Sequence, residues 1–339
     1  MSKQKQCRPF DSRYLQLDLT DNQREIYLAY GENSSIVNKA ARALGKEPGG
    51  VSRVIRDIQK KGEDLLGHLE WDEYLEEVVD QPLKILVYDI ETMPNLVYTW
   101  GFYNQNISHN QVKTYGWMCS FAAKWIGEDE IIYHEYRGNK GNDKSLVKKL
   151  INLFDQADVV IAHNGRAFDT KTAKGRALKY GIKPPSPFKV ADTLLIARNE
   201  FKLPRNTLEY ISEHVGVTPK DKHEKFPGFE LWKKCLEGNE DAWKEMRQYN
   251  IQDVETLEEV YYALRPWATQ HPNLGIFLEN TRKVCPKCAS PELKDIRKVI
   301  NTNTQSYSGY ECKNCGGYCR GRRNITDKEK KKSLLVNAV

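Results

Sequence analysis

Lys84-Ile85-Leu86-Val87-Tyr88-Asp89-Ile90-Glu91 is the stretch whose reading decides the fold. Ile85, Val87, Asp89 and Glu91 share one parity, and Leu86, Tyr88 and Ile90 share the other. Both faces are apolar up to residue 88, the pattern of a central strand buried on two sides. Asp89 and Glu91 therefore point to one face at the end of that strand. Neighbouring carboxylates with no Lys or Arg between them repel each other, and burial is costly unless they are paired, hydrogen-bonded or bound to metal. A hard divalent cation, Mg²⁺ or Mn²⁺, removes both costs. Alone, so short a pattern more often marks a strand end whose acids sit in water. The sequence downstream reverses that reading.

Two further acidic positions follow. His163-Asn164-Gly165-Arg166-Ala167-Phe168-Asp169 lies just past a short buried strand, Asp158 to Ala162, where an α/β sheet opens its site crevice. An isolated Asp169 there equally suits a helix N-terminus answering the macrodipole. The third position lies in a helix spanning Ala242 to Leu264. Trp243, Met246, Asn250, Asp253, Leu257, Val260 and Leu264 form one stripe at spacings of three and four, so Asp253 falls within the buried face. A metal ion or a buried Arg would remove the cost of that carboxylate. Tyr249 is one turn before it on the same side.

Asp89-Ile90-Glu91, Asn164-x3-Phe168-Asp169 and Tyr249-x3-Asp253 resemble, in order and spacing, the three exonuclease motifs of the DEDD (DnaQ-like) superfamily. The resemblance covers roughly residues 82 to 270, and the Tyr variant is the one found in proofreading domains of family-B DNA polymerases. It implies an RNase H-like fold and hydrolysis of nucleotides from a 3′ end by two metal ions, Mg²⁺ or Mn²⁺. On that resemblance Asp89 bridges both metals, and Glu91 and Asp253 hold the first. Asp169 anchors the second, and Tyr249 orients the attacking water. Asn164 positions the 3′ nucleotide, and Phe168 packs by the terminal base or into the core. Asp192 supports the site indirectly, and His163 is structural. One ion generates hydroxide and the other stabilises the leaving oxygen. The chain has no room for a polymerase domain, so the expectation is a free-standing nuclease or a subunit serving a separate DNA polymerase or replication protein.

Around this core the order of apolar runs predicts a mixed α/β sheet. Strands are expected at Leu96 to Tyr103 and Trp117 to Ile126, and helices at Leu146 to Ala157 and about Thr170 to Tyr180. Before it, residues 20 to 61 read as three short helices: Asn22 to Tyr30, Ser35 to Leu44 and Val51 to Lys61. The last is basic and amphipathic. Ala40 to Gly45 followed by Val51 to Ile55 resembles helix-turn-helix regions of bacterial and phage DNA-binding proteins, and implies contacts to DNA from Arg53 and Arg56. Residues 63 to 80 hold eight acids and no Lys or Arg, a block that repels phosphate and reads as a partly helical connector.

The C-terminal piece carries Cys285-Pro286-Lys287-Cys288 and Cys312-Lys313-Asn314-Cys315. Two C-x2-C knuckles separated by 23 residues resemble a zinc ribbon holding one structural Zn²⁺; Cys319 is an alternative fourth ligand. Arg320 to Lys332 contains seven Lys or Arg against two acids, a tail suited to phosphates.

The composition, 40% hydrophobic and 29% charged, is that of a globular protein with real cores. No long apolar run spans a membrane, and the polar N-terminus lacks a signal-peptide pattern. The expectation is a reducing cytoplasm, the host's if the gene is phage-borne, where eight Cys serve as metal ligands or free thiols. A net charge of +6 favours an anionic partner.

The expected organisation is a helix-turn-helix over 1–62, an acidic connector over 63–81, an RNase H-like exonuclease over 82–275, a zinc ribbon over 280–322 and a basic tail over 323–339. DNA is the expected substrate. An exoribonuclease or a non-enzymatic DNA-binding regulator on the same scaffold are the alternatives.

Overall fold

The computed structural model describes residues 10, 12–33, 35–66, 83–138, 141–217, 223, 225–278 and 282–336. The chain divides into two compact units, Met1–Gln81 and Pro82–Val339.

In the first unit α1 (Asp21–Glu32), α2 (Val37–Ala43) and α3 (Pro48–Leu66) pack pairwise. Their shared core includes Tyr27, Tyr30, Ala40, Val51, Ile55 and Ile58. Thr20 caps α1 through a capping box with Gln23. The third helix begins three residues before the expected Val51. Pro48 presets a helical φ in the first turn, where its missing N–H costs nothing, so Gly49 and Gly50 are drawn into the helix. At its other end α3 reaches Leu66, into the acidic block; the rest of that block lies outside the described residues.

The second unit is built on a five-stranded sheet of order β5-β4-β1-β6-β7. The strands are β1 (Ile85–Thr92), β4 (Met118–Trp125), β5 (Ile131–Glu135), β6 (Val159–Ala162) and β7 (Lys189–Asp192). Strand β1 runs antiparallel to β4 and parallel to β6, a mixed RNase H-like sheet. Its two parities feed two cores. Leu86, Tyr88 and Ile90 pack with α4 (Lys144–Gln156) and α5 (Asp169–Lys179). Ile85 and Val87 pack with Val254, Leu257, Val260 and Tyr261 of the long helix α9 (Glu240–Leu264). The parity that carries Asp89 and Glu91 is thus the one facing α9.

Two strands of this sheet escaped the sequence reading. Strand β5 is half-buried throughout, and β7 is four residues behind a proline-rich loop, too short to show a period. A third expectation fails: only Leu96–Val97 of the stretch Leu96 to Tyr103 is strand, β2, paired in a two-stranded ribbon with β3 (Val112–Thr114). The apolar run suggested a strand, yet Tyr98, Trp100 and Phe102 are all exposed.

Asp143, fully buried, receives the Met118 N–H at 2.8 Å, the Tyr180 hydroxyl at 2.6 Å and a two-pronged contact from the Arg176 guanidinium. The same arginine donates to the carbonyls of Gly116 and Gly141. Arg176→Ala strands a buried charge and should cost about 3–5 kcal/mol of stability. A shift in denaturation midpoint worth less than about 1 kcal/mol would show the carboxylate to be solvated.

After α9, β8 (Leu293–Asn301), β9 (Ser306–Cys312) and β10 (Tyr318–Arg320) form a small antiparallel sheet. The first cysteine knuckle before it is tied to the segment after α9 by the Leu274 N–H on the Pro286 carbonyl at 2.7 Å and by the Lys287 ammonium on the Pro266 carbonyl. The described residues of the basic tail contain one short helix, Lys328–Ser333.

Candidate active site

Asp89 and Glu91 on β1 and Asp253 on α9 come together, with ligand oxygens all within 4.8 Å of one another. Strand β1 places the first two on the α9 face, and the apolar stripe of α9 turns Asp253 toward them. Asn250, one turn earlier on that stripe, is fully buried. Its amide donates to an Asp89 carboxylate oxygen at 2.8 Å and its own oxygen accepts from the Ser120 hydroxyl at 2.9 Å. Ser120 stands opposite Glu91 in the β1–β4 register. These three carboxylates offer hard oxygen donors alone, a set that fits Mg²⁺ or Mn²⁺ rather than a soft metal.

Asp169 is not one of this close trio. It is the first residue of α5, buried, and hydrogen-bonded by its own backbone and that of Ile90, the residue between Asp89 and Glu91. Strand β6 pairs with β1 only as far as Val87, so the β1 backbone beyond it is open to α5. Burial pushes the Asp169 carboxyl up to about 7, and Asp192 adds to the rise.

The loop before α5 has its own logic. Asn164 adopts φ +69°, a left-handed conformation that Asn tolerates better than most residues. Its N–H and that of Arg166 each donate to Asp192 at 3.0 Å, while Asp192 also caps α6 (Thr193–Glu200). Gly165 is required: a Cβ there would stand 2.5 Å from that of Ala162. His163 has both ring nitrogens engaged, Nε2 with the Asn206 carbonyl and Nδ1 with the Thr193 hydroxyl, each at 2.9 Å. Both contacts fix the orientation of its ring. Phe168 is exposed. The Tyr249 ring is buried between His223 and Trp232 of α8 (Glu230–Leu236), at centroid distances of 5.1 and 6.1 Å.

A cleft of about 650 Å³ opens over the trio and is also lined by Asn164, Arg198, Arg205 and Asn206. Carboxylates at the floor and two guanidiniums at the wall suit a cation-dependent reaction on a phosphate ester. The sequence profile described as RNase_H superfamily matches residues 86–265, just over half of the chain and all of this site. The chain belongs to the RNase_H superfamily. No curated protein matches it. Among solved structures, the family B DNA polymerase from the hyperthermophilic archaeon Pyrobaculum calidifontis matches at 17% identity with a TM-score of 0.42. The match covers 55% of this chain and 25% of that polymerase, so the chain spans about a quarter of its length.

Three contributors to this RNase_H superfamily site were not singled out from sequence. Asn250 stood in the buried stripe, where an amide among apolar residues was the signal. Arg198 is in the last turn of α6, and Arg205 is in the segment joining α6 to α7 (Leu208–Val215), with only a local excess of basic residues to mark them.

In the C-terminal sheet, Cys285, Cys288, Cys312 and Cys315 bring their sulfurs within 4.8 Å of one another. Cys285–Cys315 and Cys288–Cys312 are 3.7 and 3.5 Å apart. A tetrahedron of sulfurs about 2.3 Å from zinc has edges of about 3.8 Å, so the cluster fits a zinc ribbon. Each knuckle turns through a left-handed residue, Ala289 and Gly316. Cys319 lies on β10, outside the cluster. The hydrogen bond between Cys285 and Cys288 holds the Cys288 thiol low and pushes the Cys285 thiol up, as one proton shared by two sulfurs does.

No helix among the described residues is long and apolar enough to cross a membrane.

Proposed function

We propose that this chain is a metal-dependent 3′→5′ exonuclease of the Tyr-type DEDD class that removes nucleotides from DNA. The convergence of Asp89, Glu91 and Asp253 under a cleft walled by Arg198 and Arg205 carries this reading. Asp89, Glu91, Asp253 and Asp169 would hold two divalent cations, which would supply the charge needed to activate the attacking water and stabilise the leaving oxygen. Water forms the new P–O bond and gives up a proton. The P–O3′ bond breaks, and the 3′ oxygen gains a proton, releasing a 5′-mononucleotide and a strand one residue shorter. Arg198 and Arg205 clamp the phosphates, Asn164 positions the terminal nucleotide and Phe168 packs on its base. Arg53, exposed on α3, and Arg56, half-buried on the same helix, contact duplex DNA, and one Zn²⁺ at the four cysteines orders the ribbon.

A 5′-labelled single strand with Mg²⁺ or Mn²⁺ tests the reading. A descending ladder is expected; release of a labelled mononucleotide from the 5′ end would overturn the polarity. Faster cleavage of an RNA strand of the same sequence would make the enzyme an exoribonuclease.

Tyr249 is assigned the orientation of the attacking water. Tyr249→Phe should slow single-turnover cleavage by up to about 10²–10⁴-fold, the range of one positioned proton-transfer group. A wild-type rate would reduce Tyr249 to packing against His223 and Trp232.

Asp169 sets a pH dependence. Its folded-state pKa of about 7 lies above the ordinary carboxyl value, so the folded state holds a proton that the unfolded chain releases near pH 4. The metal-free protein therefore loses stability from this group as pH rises from about 4 to about 7. A divalent cation that binds the ionised form should raise Tm more at pH 8 than at pH 6. Equal shifts would remove Asp169 from the ligand set.

A further inference from the structure

Just beyond Glu91 the chain leaves the sheet and presents large aromatic rings to solvent. Trp100 and Phe102 are 101% and 97% exposed and Tyr103 is 86% exposed, with Tyr98 close by. Rings left in water contribute nothing to the fold through burial, and exposed apolar clusters mark interaction sites. Polar contacts nevertheless shape the loop. The Tyr98 N–H bonds the Gln111 carbonyl at 2.8 Å, the Thr99 hydroxyl bonds the Gly101 carbonyl at 2.8 Å, and the Gln105 amide bonds the Tyr103 carbonyl at 2.7 Å. Its root is fastened at the site end of β1: the Met93 N–H reaches the Trp117 carbonyl at 2.8 Å, and the Gly116 N–H reaches the Asn95 side chain at 2.7 Å. From Thr92 to Gly127 there is no Asp or Glu, in a chain that carries 46 of them.

We propose that Tyr98, Trp100, Phe102 and Tyr103 form a stacking platform for unpaired bases of the strand whose end lies at the carboxylates, an inference that rests on the nuclease reading. Every base has a π face, so such a platform holds a single strand without regard to sequence. Bases in a duplex are already stacked and paired, so the platform selects frayed or single-stranded ends. The missing acids identify the occupant. A protein partner tolerates carboxylates at the rim of an aromatic patch, whereas a polyanion is repelled by them. The loop is rooted within a few residues of Glu91, at the site end of β1.

The test compares the full-length protein with Trp100→Ala/Phe102→Ala, without added Mg²⁺ or Mn²⁺, so that nothing is cleaved and zinc in the ribbon stays bound. Fluorescence anisotropy would measure binding to a short oligothymidylate and to an abasic strand with the same number of phosphates. Both substitutions are at the surface, and circular dichroism checks the fold. Wild type should prefer the oligothymidylate by about tenfold or more, and the variant should lose about tenfold for each stacked base removed. Abasic affinity and the salt slope should stay unchanged, since no phosphate contact is touched. Equal wild-type affinity for both strands, unchanged oligothymidylate binding by the variant, or an equal loss on both strands would overturn the platform even if cleavage proceeds. Base-dependent binding without any cleavage would instead sink the nuclease reading and leave the platform standing.

Discussion

Asp89→Asn should all but abolish cleavage, lowering the single-turnover rate by about 10³-fold or more, while leaving strand binding nearly intact. The substitution keeps volume and an acceptor oxygen, so the hydrogen bond from Asn250 can persist and the β1–α9 packing with it. What it removes is the anionic ligand at the centre of the trio. A cation's stabilisation of the transferring phosphoryl group is worth several kcal/mol, and each ~1.4 kcal/mol is a factor of ten in rate. Affinity should survive because it comes from Arg198, Arg205 and the basic flanks. Single-turnover rates and metal-free binding, measured side by side, check both halves. Near-normal hydrolysis by the folded variant would end the assignment of the carboxylate site.

The second large effect is expected in the ribbon. Cys285→Ser or Cys312→Ser should release the zinc and unfold the C-terminal sheet. The described residues of that sheet bury little besides Tyr307, Cys285 and Cys312, too small a core to stand alone. Structural zinc contributes about 10–16 kcal/mol of apparent binding free energy in small domains of this kind. Metal analysis of freshly purified protein should find about one zinc per chain by this reading, and limited proteolysis of the variants should open residues 283–322. An intact, protease-resistant ribbon in protein containing no zinc would rule out a metal there.

Legibility followed burial. Strand β1 and helix α9 were readable because each is long and carries its acids within an apolar period, and the residues that meet at the site are on those two elements. Asp169 was readable as a candidate from its motif but not in its position, since helix-start chemistry and site geometry look alike in sequence. Strands β5 and β7 were missed because half-burial and shortness leave no period to detect. The Tyr98–Tyr103 stretch misled for the opposite reason: it is apolar like a buried strand, yet among the described residues no strand pairs with it beyond Val97. An apolar run reports side chains, and only pairing makes a strand.

Asn250 has a consequence for how the site meets its cation. One oxygen of Asp89 already accepts from the Asn250 amide, and that amide is fixed from behind by Ser120. The carboxylate therefore cannot spin freely about its last bond before an ion arrives. Its rotational entropy is surrendered when the domain folds, not when the metal binds. The site is stiff before it is loaded, so it should favour ions that tolerate a preset spacing of oxygens, and Mg²⁺, with its strict octahedral demand, is more sensitive to a loosened Asn250 than Mn²⁺ is.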